Sequence, residues 1–418
     1  MADPLNFPKL RHPIDIRLER LEQQEVLIVS CPLGISVQPL VLNGVVGPIL
    51  GHFEGNLSVD GITARFAPYG LRRETVVELV TLLDQHLFLA TPRFFAAERA
   101  ARESFLASPL RPAALAGVSY AGSRAELERE IDSYLALGLS PRARPERPLI
   151  GLISPHIDYR RGHAAYGRAW PSLGVEQHDL YLVLGTAHQY SRHMFHLTRK
   201  DFETPLGLLR CDQDFVRSVA ARYGEDRSFA DELLHRREHS LELQLPFLKR
   251  LSTDVPIVPI LVGGFHHLLA SGRLPEDDEQ YESFAGALVE VLRTRRDAGS
   301  RICFISGVDM AHVGRAFGDP GSLTPAFMER IRERDEAYLA AITGGDRRTL
   351  YTHIAEDNDA RRICGFPTMY LVLDLCERLG LRCETRILDY RQAVDYQRDC
   401  AVTFAGAAMY ARAGGAEI

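Results

Sequence analysis

The sequence predicts an α/β fold in which a largely parallel sheet is covered by helices, with a small helical unit in front of it. Three observations predict it. From residue 149 onward, short apolar runs alternate with stretches of helical periodicity. These runs are nearly continuous in apolar residues, the pattern of strands buried on both faces. Polar residues then follow several of the runs, as at the carboxyl edge of an open α/β sheet. The 418 residues are 46% hydrophobic and 25% charged, which supplies a large core and leaves room for two or three domains.

Charge and composition exclude several function classes. A net charge of -6 gives no basic face for nucleic acid. No apolar run reaches the 18 or more residues of a membrane span. The opening "MADPLNFPKLRHPIDIRLERLEQQ" carries no apolar segment of a secretory signal. Seven scattered cysteines, an odd count without CxxC pairs, suit free thiols in a reducing cytoplasm.

Residues 1–37 read as a lead-in with one strand, "EVLIVS" (25–30). "PLVLNGVVGPILGHFEGNLSVDGITARF" reads as two short helices with a glycine-containing break. "RRETVVELVTLLDQHLFL" gives a stronger helix, apolar at Val76, Val77, Leu79, Val80, Leu83 and Leu87. "FLATPRFFAAERAARESFL" follows as a tail. Residues 1–106 read as a winged-helix-like unit that resembles the small peptide-binding modules of the PqqD type; a small structural or docking domain is the leading expectation, and peptide recognition the alternative. Its arginines are offset by acidic residues, which argues against DNA. A Pro/Ala-rich stretch, 107–115, reads as a linker, and "SRAELEREIDSYLALG" (123–138) as a helix capped by Ser123. A loop is expected over 140–148.

The α/β unit, 116–412, then supplies strands at "LIGLIS" (149–154), "LYLVLG" (180–185), "PIVPILV" (256–262) and "ICFISG" (302–307). Helices are expected at 212–222, 240–250, 281–295, 325–342 and 366–380. Strands at "TRILDY" (385–390) and "AVTFAGAAM" (401–409) complete it, and 413–418 is a tail.

The residues after the strands carry the chemistry. His156 stands two residues past its strand and His188 three past the next; Asp309 and His312 follow a third. If these strands are parallel neighbours, one sheet edge gathers imidazoles and a carboxylate. Cys364 precedes a helix with Pro367 in its first turn, where the helix dipole would lower the thiol pKa toward the metal-binding thiolate. "RREHSLELQLPFLKRL" places Glu238 and Glu242 four apart, with His239 beside them and Ser240 as a candidate cap. His239 could orient a ligand, act as acid or base, or be structural. His193, His196, His266 and His267 read as loop surface, His163 as a structural helix residue, and Cys303 and Cys376 as core. Asp357, Asp359 and Arg362 read as solvated loop. No HExxH, CxxC pair, Walker A loop or GxGxxG is present, which removes zincin, zinc-ribbon, NTPase and dinucleotide readings.

Six motifs in order resemble those of the Memo family, the protein B component of the bacterial AmmeMemoRadiSam system. They are "AGVSYAGSRAELEREIDSYL" (116–135), "LISPHIDYRRGHAAYGRAW" (152–170), "VLGTAHQY" (183–190), "REHSLELQLPFL" (237–248), "ISGVDMAHVG" (305–314) and "ICGFPTMYLVL" (363–373). The resemblance implies a fold like that of the class III extradiol dioxygenases (LigB-like). It implies metal ligands at His156, His188 and Cys364, and a catalytic histidine at His312 beside the metal. Asp309, His239 and Glu242 would line the pocket. It also implies a radical-SAM enzyme and an AMMECR-type protein as partners. Two positions depart from the family pattern. Ile157 and Asp158 replace a small pair, adding a carboxylate near the metal, and Gln189 replaces a second histidine.

A His/His/Cys set suits iron or copper, with zinc an alternative, and is poor for magnesium or calcium. The reading is a metal-dependent oxidoreductase of the non-haem iron or copper type. The alternatives are a non-catalytic metal- or peptide-binding component and a zinc-dependent hydrolase.

Overall fold

The computed structural model describes residues 3–21, 24–36, 38–138, 147–174, 178–252 and 254–412. They form two compact units that divide between Ser108 and Pro109. The tail expected at 413–418 and most of the loop expected over 140–148 lie outside the described residues.

The first unit begins with an antiparallel three-stranded sheet, β1 (Asp15–Leu21), β2 (Gln24–Ser30) and β3 (Leu40–Asn43). Four helices follow: α1 (Gly47–Leu50), α2 (Val59–Phe66), α3 (Arg73–Gln85) and α4 (Pro92–Ala107). Three strands stand where one was expected. "DIRLERL" alternates apolar and polar residues, and Ile16 and Leu18 pair with Val29 and Leu27 of β2. Leu40 and Leu42, expected in a helix, are buried on one face of β3 while Val41 is exposed on the other. The expected tail at 92–107 is a helix. Thr91 caps it by accepting from the Phe94 N–H, Pro92 opens it, and Phe94 and Phe105 bury its inner face.

The second unit is built on a mixed eight-stranded sheet. Its central strands are β5 (Leu149–Ser154), β6 (Leu180–Thr186), β10 (Ile257–Val262) and β11 (Ile302–Gly307), and its outer strands are β7 (Phe195–Leu197), β12 (His312–Val313), β13 (Cys383–Asp395) and β14 (Cys400–Ala411). The order is β12-β14-β5-β11-β6-β10-β7, with β13 on β14. The β5-β11, β11-β6 and β6-β10 pairs are parallel. The flanking pairs are antiparallel. The expectation of a largely parallel sheet therefore holds at the centre and not at the flanks. β13 and β14 are joined by a short turn, and a short connection permits only antiparallel pairing.

Every residue of β5, β6, β10 and β11 is buried. One face packs on α7 (Gln213–Tyr223), α12 (Glu279–Asp297) and α15 (Phe366–Arg378), where Phe284, Leu288 and Leu371 meet Leu182, Ile260 and Phe304. The other packs on α5 (Arg124–Leu135), α6 (Tyr159–Ala169) and α10 (Leu245–Leu251), where Tyr166, Trp170 and Phe247 meet Tyr181 and Ile305. Both faces are thus dry, which accounts for the continuous apolar runs. Ser123 caps α5 as expected, accepting from the Glu126 N–H. The remaining helices are α8 (Glu225–Phe229), α9 (His239–Glu242), α11 (His266–Ser271), α13 (Pro325–Gly344) and α14 (Arg347–Ala355).

Residues 109–115 of the stretch expected as a linker belong to this unit. β4 (Leu110–Arg111) joins β8 (Asp201–Thr204) and β9 (Gly207–Leu209) in a small second sheet, and Arg111 is fully buried. Among the described residues no helix is long and apolar enough to cross a membrane.

Candidate metal centre

Strands β5, β11 and β6 lie side by side and in parallel, so their carboxyl ends open onto one edge. That edge is where ligands sit in open α/β sheets. His156 follows β5, His188 follows β6, and Asp309 follows β11. A four-residue helix, α9, brings in His239, and the turn before α15 brings in Cys364.

His156, His188 and His239 each place a ring nitrogen within 4.8 Å of the others. The ring centroids are 5.0 Å apart for His156–His188, 5.0 Å for His156–His239 and 4.4 Å for His188–His239. Cys364 Sγ lies 3.3 Å from His156 Nε2. The depth is graded. His156 is 2% exposed, whereas the side chains of His188 and His239 are 28% and 39% exposed.

Each ring is held through Nδ1. His156 Nδ1 is 3.0 Å from the Gly307 carbonyl. His188 Nδ1 and His239 Nδ1 are 2.9 Å and 3.1 Å from the same oxygen, Glu238 Oε1. Glu238 is itself fixed, accepting from the Ser240 N–H and the His188 N–H, each at 3.0 Å. His312 Nδ1 lies 3.0 Å from the Met310 carbonyl and 3.2 Å from that of Arg362. Carbonyl and carboxylate acceptors put the proton on Nδ1 and leave a lone pair on Nε2.

The electrostatics follow from burial and from these pairs. Burial, with the neighbouring histidines, holds His156 well below the usual imidazole range. Burial also pushes Asp309, which accepts from the His156 N–H at 2.8 Å, up to about 7. Burial and the nearby His188 bring His312 down to about 4. Burial opposes ionisation of Glu238, but the adjacent His188 and His239 outweigh it and hold the carboxyl well below its ordinary value. The same pairing raises His239 against its burial.

The structure corrects several sequence expectations. Burial and the Asp309 charge put the Cys364 thiol well above its usual range, so the helix dipole does not dominate there. Glu242 does not line the centre. It is fully buried, ion-paired with Arg111, and accepts from the Leu115 N–H at 2.8 Å and the Tyr120 hydroxyl at 2.6 Å. Asp158 caps α6 through the Arg161 N–H and pairs with the Arg161 guanidinium. Ser240 does not cap α9. Glu238 does, while the Ser240 hydroxyl donates to the Thr186 carbonyl. His196, expected on the surface, is buried in β7, and Asp359, expected in solvent, is buried and holds the Ile363 N–H. Glu238 is the functional residue that sequence reasoning left without a role. The available signal was its place at the cap of a helix that begins with histidine.

Fold and site together define a two-unit α/β protein with a pocket of imidazoles and one thiol at the carboxyl edge of a parallel strand set. The chain belongs to the Memo family: residues 111–408 match the family described as Memo-like protein. A "MEMO1 family protein" of Aquifex aeolicus is 27% identical over 387 residues, covering 92% of this chain and 96% of that relative. That alignment is longer than the second unit, so it reaches into the first. One of Methanosarcina acetivorans is 27% identical over 301 residues, 72% of this chain and 98% of the relative. Another, of Thermus thermophilus, is 32% identical over 239 residues, 56% of this chain and 65% of the relative.

Proposed function

We propose that this chain is a metal-dependent oxidoreductase of the non-haem iron or copper type. One observation supports the reading above the rest: histidines gathered at one sheet edge are each held through Nδ1, with a partly buried thiol beside the deepest. Core packing gives no reason for this arrangement, whereas a metal centre needs it.

In this reading His156, His188 and Cys364 hold the ion. Nitrogen and sulfur donors fit iron, copper or zinc and fit magnesium and calcium poorly. Iron or copper with an open position supplies redox chemistry with O₂, while zinc would favour hydrolysis. The protein's part is orientation and proton handling. The Gly307 carbonyl and Glu238 fix the rings. Asp309, raised to about 7, holds or releases a proton near neutral pH beside His156. His312, neutral at that pH, offers Nε2 as a proton acceptor. The LigB-like relation belongs to the same proposal, but a thiolate where those enzymes use a carboxylate argues against simple ring cleavage. We assign the first unit a winged-helix-like, peptide-holding role, with radical-SAM and AMMECR-type proteins as companions in the cytoplasm.

Metal analysis with EPR on protein purified anaerobically tests this, with His188→Ala and Cys364→Ser alongside. Stoichiometric iron or copper in the wild type and its loss in both variants is the expected result. Zinc in its place would move the reading to a hydrolase, and the absence of any bound metal would overturn it.

A further inference from the structure

We infer that His239 is itself a metal ligand, and that Glu238 is the shared clamp that aims His188 and His239 at one ion. The inference rests on the metal-centre reading and changes its ligand set.

Ring spacing carries the argument. An ion about 2.1 Å from an imidazole Nε2 lies about 3.2 Å from the ring centroid, so two rings on one ion have centroids about 4.5 Å apart at right angles and about 5.2 Å apart at the tetrahedral angle. The observed separations are 5.0, 5.0 and 4.4 Å. All three fall in or beside that interval, and ring nitrogens of the same three residues come within 4.8 Å of one another. A histidine that merely lines a pocket has no reason to match both of the others at once.

Hydrogen bonding gives a second argument. Glu238 Oε1 accepts from Nδ1 of His188 and of His239 at 2.9 Å and 3.1 Å, so neither ring can spend its Nε2 lone pair on the carboxylate. The two rings are inclined by only 24° and share that one acceptor oxygen. A carboxylate behind a histidine is the usual means of orienting a ligand, and one carboxylate here serves two. Glu238 touches no ion or substrate in this scheme; it is a positioning residue. Cys364, with Sγ 3.3 Å from His156 Nε2, stands beside the deepest of the three imidazoles.

Anaerobic titration of the metal-free full chain with Co(II) tests the proposal, read by the visible d–d bands and the thiolate-to-cobalt charge-transfer band. The variants are His239→Asn, Glu238→Gln and Cys364→Ser, each checked for native circular dichroism. The expected result is one Co(II) per wild-type chain. His239→Asn should weaken binding at least tenfold and shift the d–d bands while keeping the charge-transfer band. Glu238→Gln should weaken binding about 10- to 100-fold with smaller spectral change, as loss of a ligand's orienting partner does. Cys364→Ser should remove the charge-transfer band. Wild-type affinity and an unchanged spectrum in His239→Asn would overturn the role of His239 and leave the metal centre standing. A wild-type chain that takes up no Co(II) would overturn both. Should His239→Asn fail to fold, pulsed EPR of the Cu(II)-loaded wild type counts the coordinated imidazoles. Three support the proposal and two overturn it.

Discussion

Single side chains show most clearly what burial costs and what offsets it. His235 is fully buried, donates from Nε2 toward the His196 carbonyl at 3.1 Å, and is pushed down to about 3 by burial and by His196. In the unfolded chain it titrates near 6.5. The folded state therefore resists protonation there, and below about 6.5 the unfolded state binds more protons. Stability from this residue is present above the unfolded pKa and is lost as pH falls toward about 3. The midpoint of urea unfolding should drop between pH 7 and pH 4, and His235→Gln, which keeps a donor, should flatten that slope. An equally steep slope in the variant would refute the assignment. At this scale the sequence was partly legible. His156, His188, Asp309 and His312 could be placed because each follows an apolar run and strand ends are predictable from periodicity. Glu242 was misplaced because its partner, Arg111, lies 131 residues earlier, and pattern within a segment carries no information on that distance.

Among the elements, the central strands were legible because burial on both faces leaves an unbroken apolar signature. The edge strand β1 and the short β3 were not, because a half-buried strand of four to seven residues resembles a charged loop or a helix end. The helices differ in how closely they are approached, and two glycines make this measurable. A Cβ at Gly167 of α6 would stand 2.1 Å from the Tyr134 carbonyl oxygen of α5, a backbone atom that cannot rotate away. A Cβ at Gly286 of α12 would meet nothing within 4 Å. Gly167→Ala should therefore destabilise by about 1–3 kcal/mol or more through overpacking. Gly286→Ala should stabilise by about 0.5–1 kcal/mol by removing a flexible residue from a helix. Chemical denaturation of the two variants checks both signs, and a like effect at both positions would mean that close helix approach is not what distinguishes them.

For the molecule as a whole, the division at Ser108 and Pro109 has a practical test. The residues of the candidate centre and the acceptors that hold them all come from the second unit. A chain of residues 109–418 should fold and retain the metal affinity of the full protein. A chain starting at 116, where the sequence motifs begin, should be far less stable. It lacks Arg111, and removing one partner of a buried ion pair costs about 3–5 kcal/mol. Equal thermal unfolding of the two chains would refute that anchor. One further consequence follows from the graded depth of the three imidazoles. The rigid floor of β5, β11 and β6 cannot part without breaking continuous hydrogen-bonded pairing, so the approach lies past the two outer rings. An incoming ion would be captured first at residues 188 and 239 and only then drawn in to residue 156. Chelators would meet the outer rings before the inner one, so bulk at those outer positions should slow loading and stripping alike.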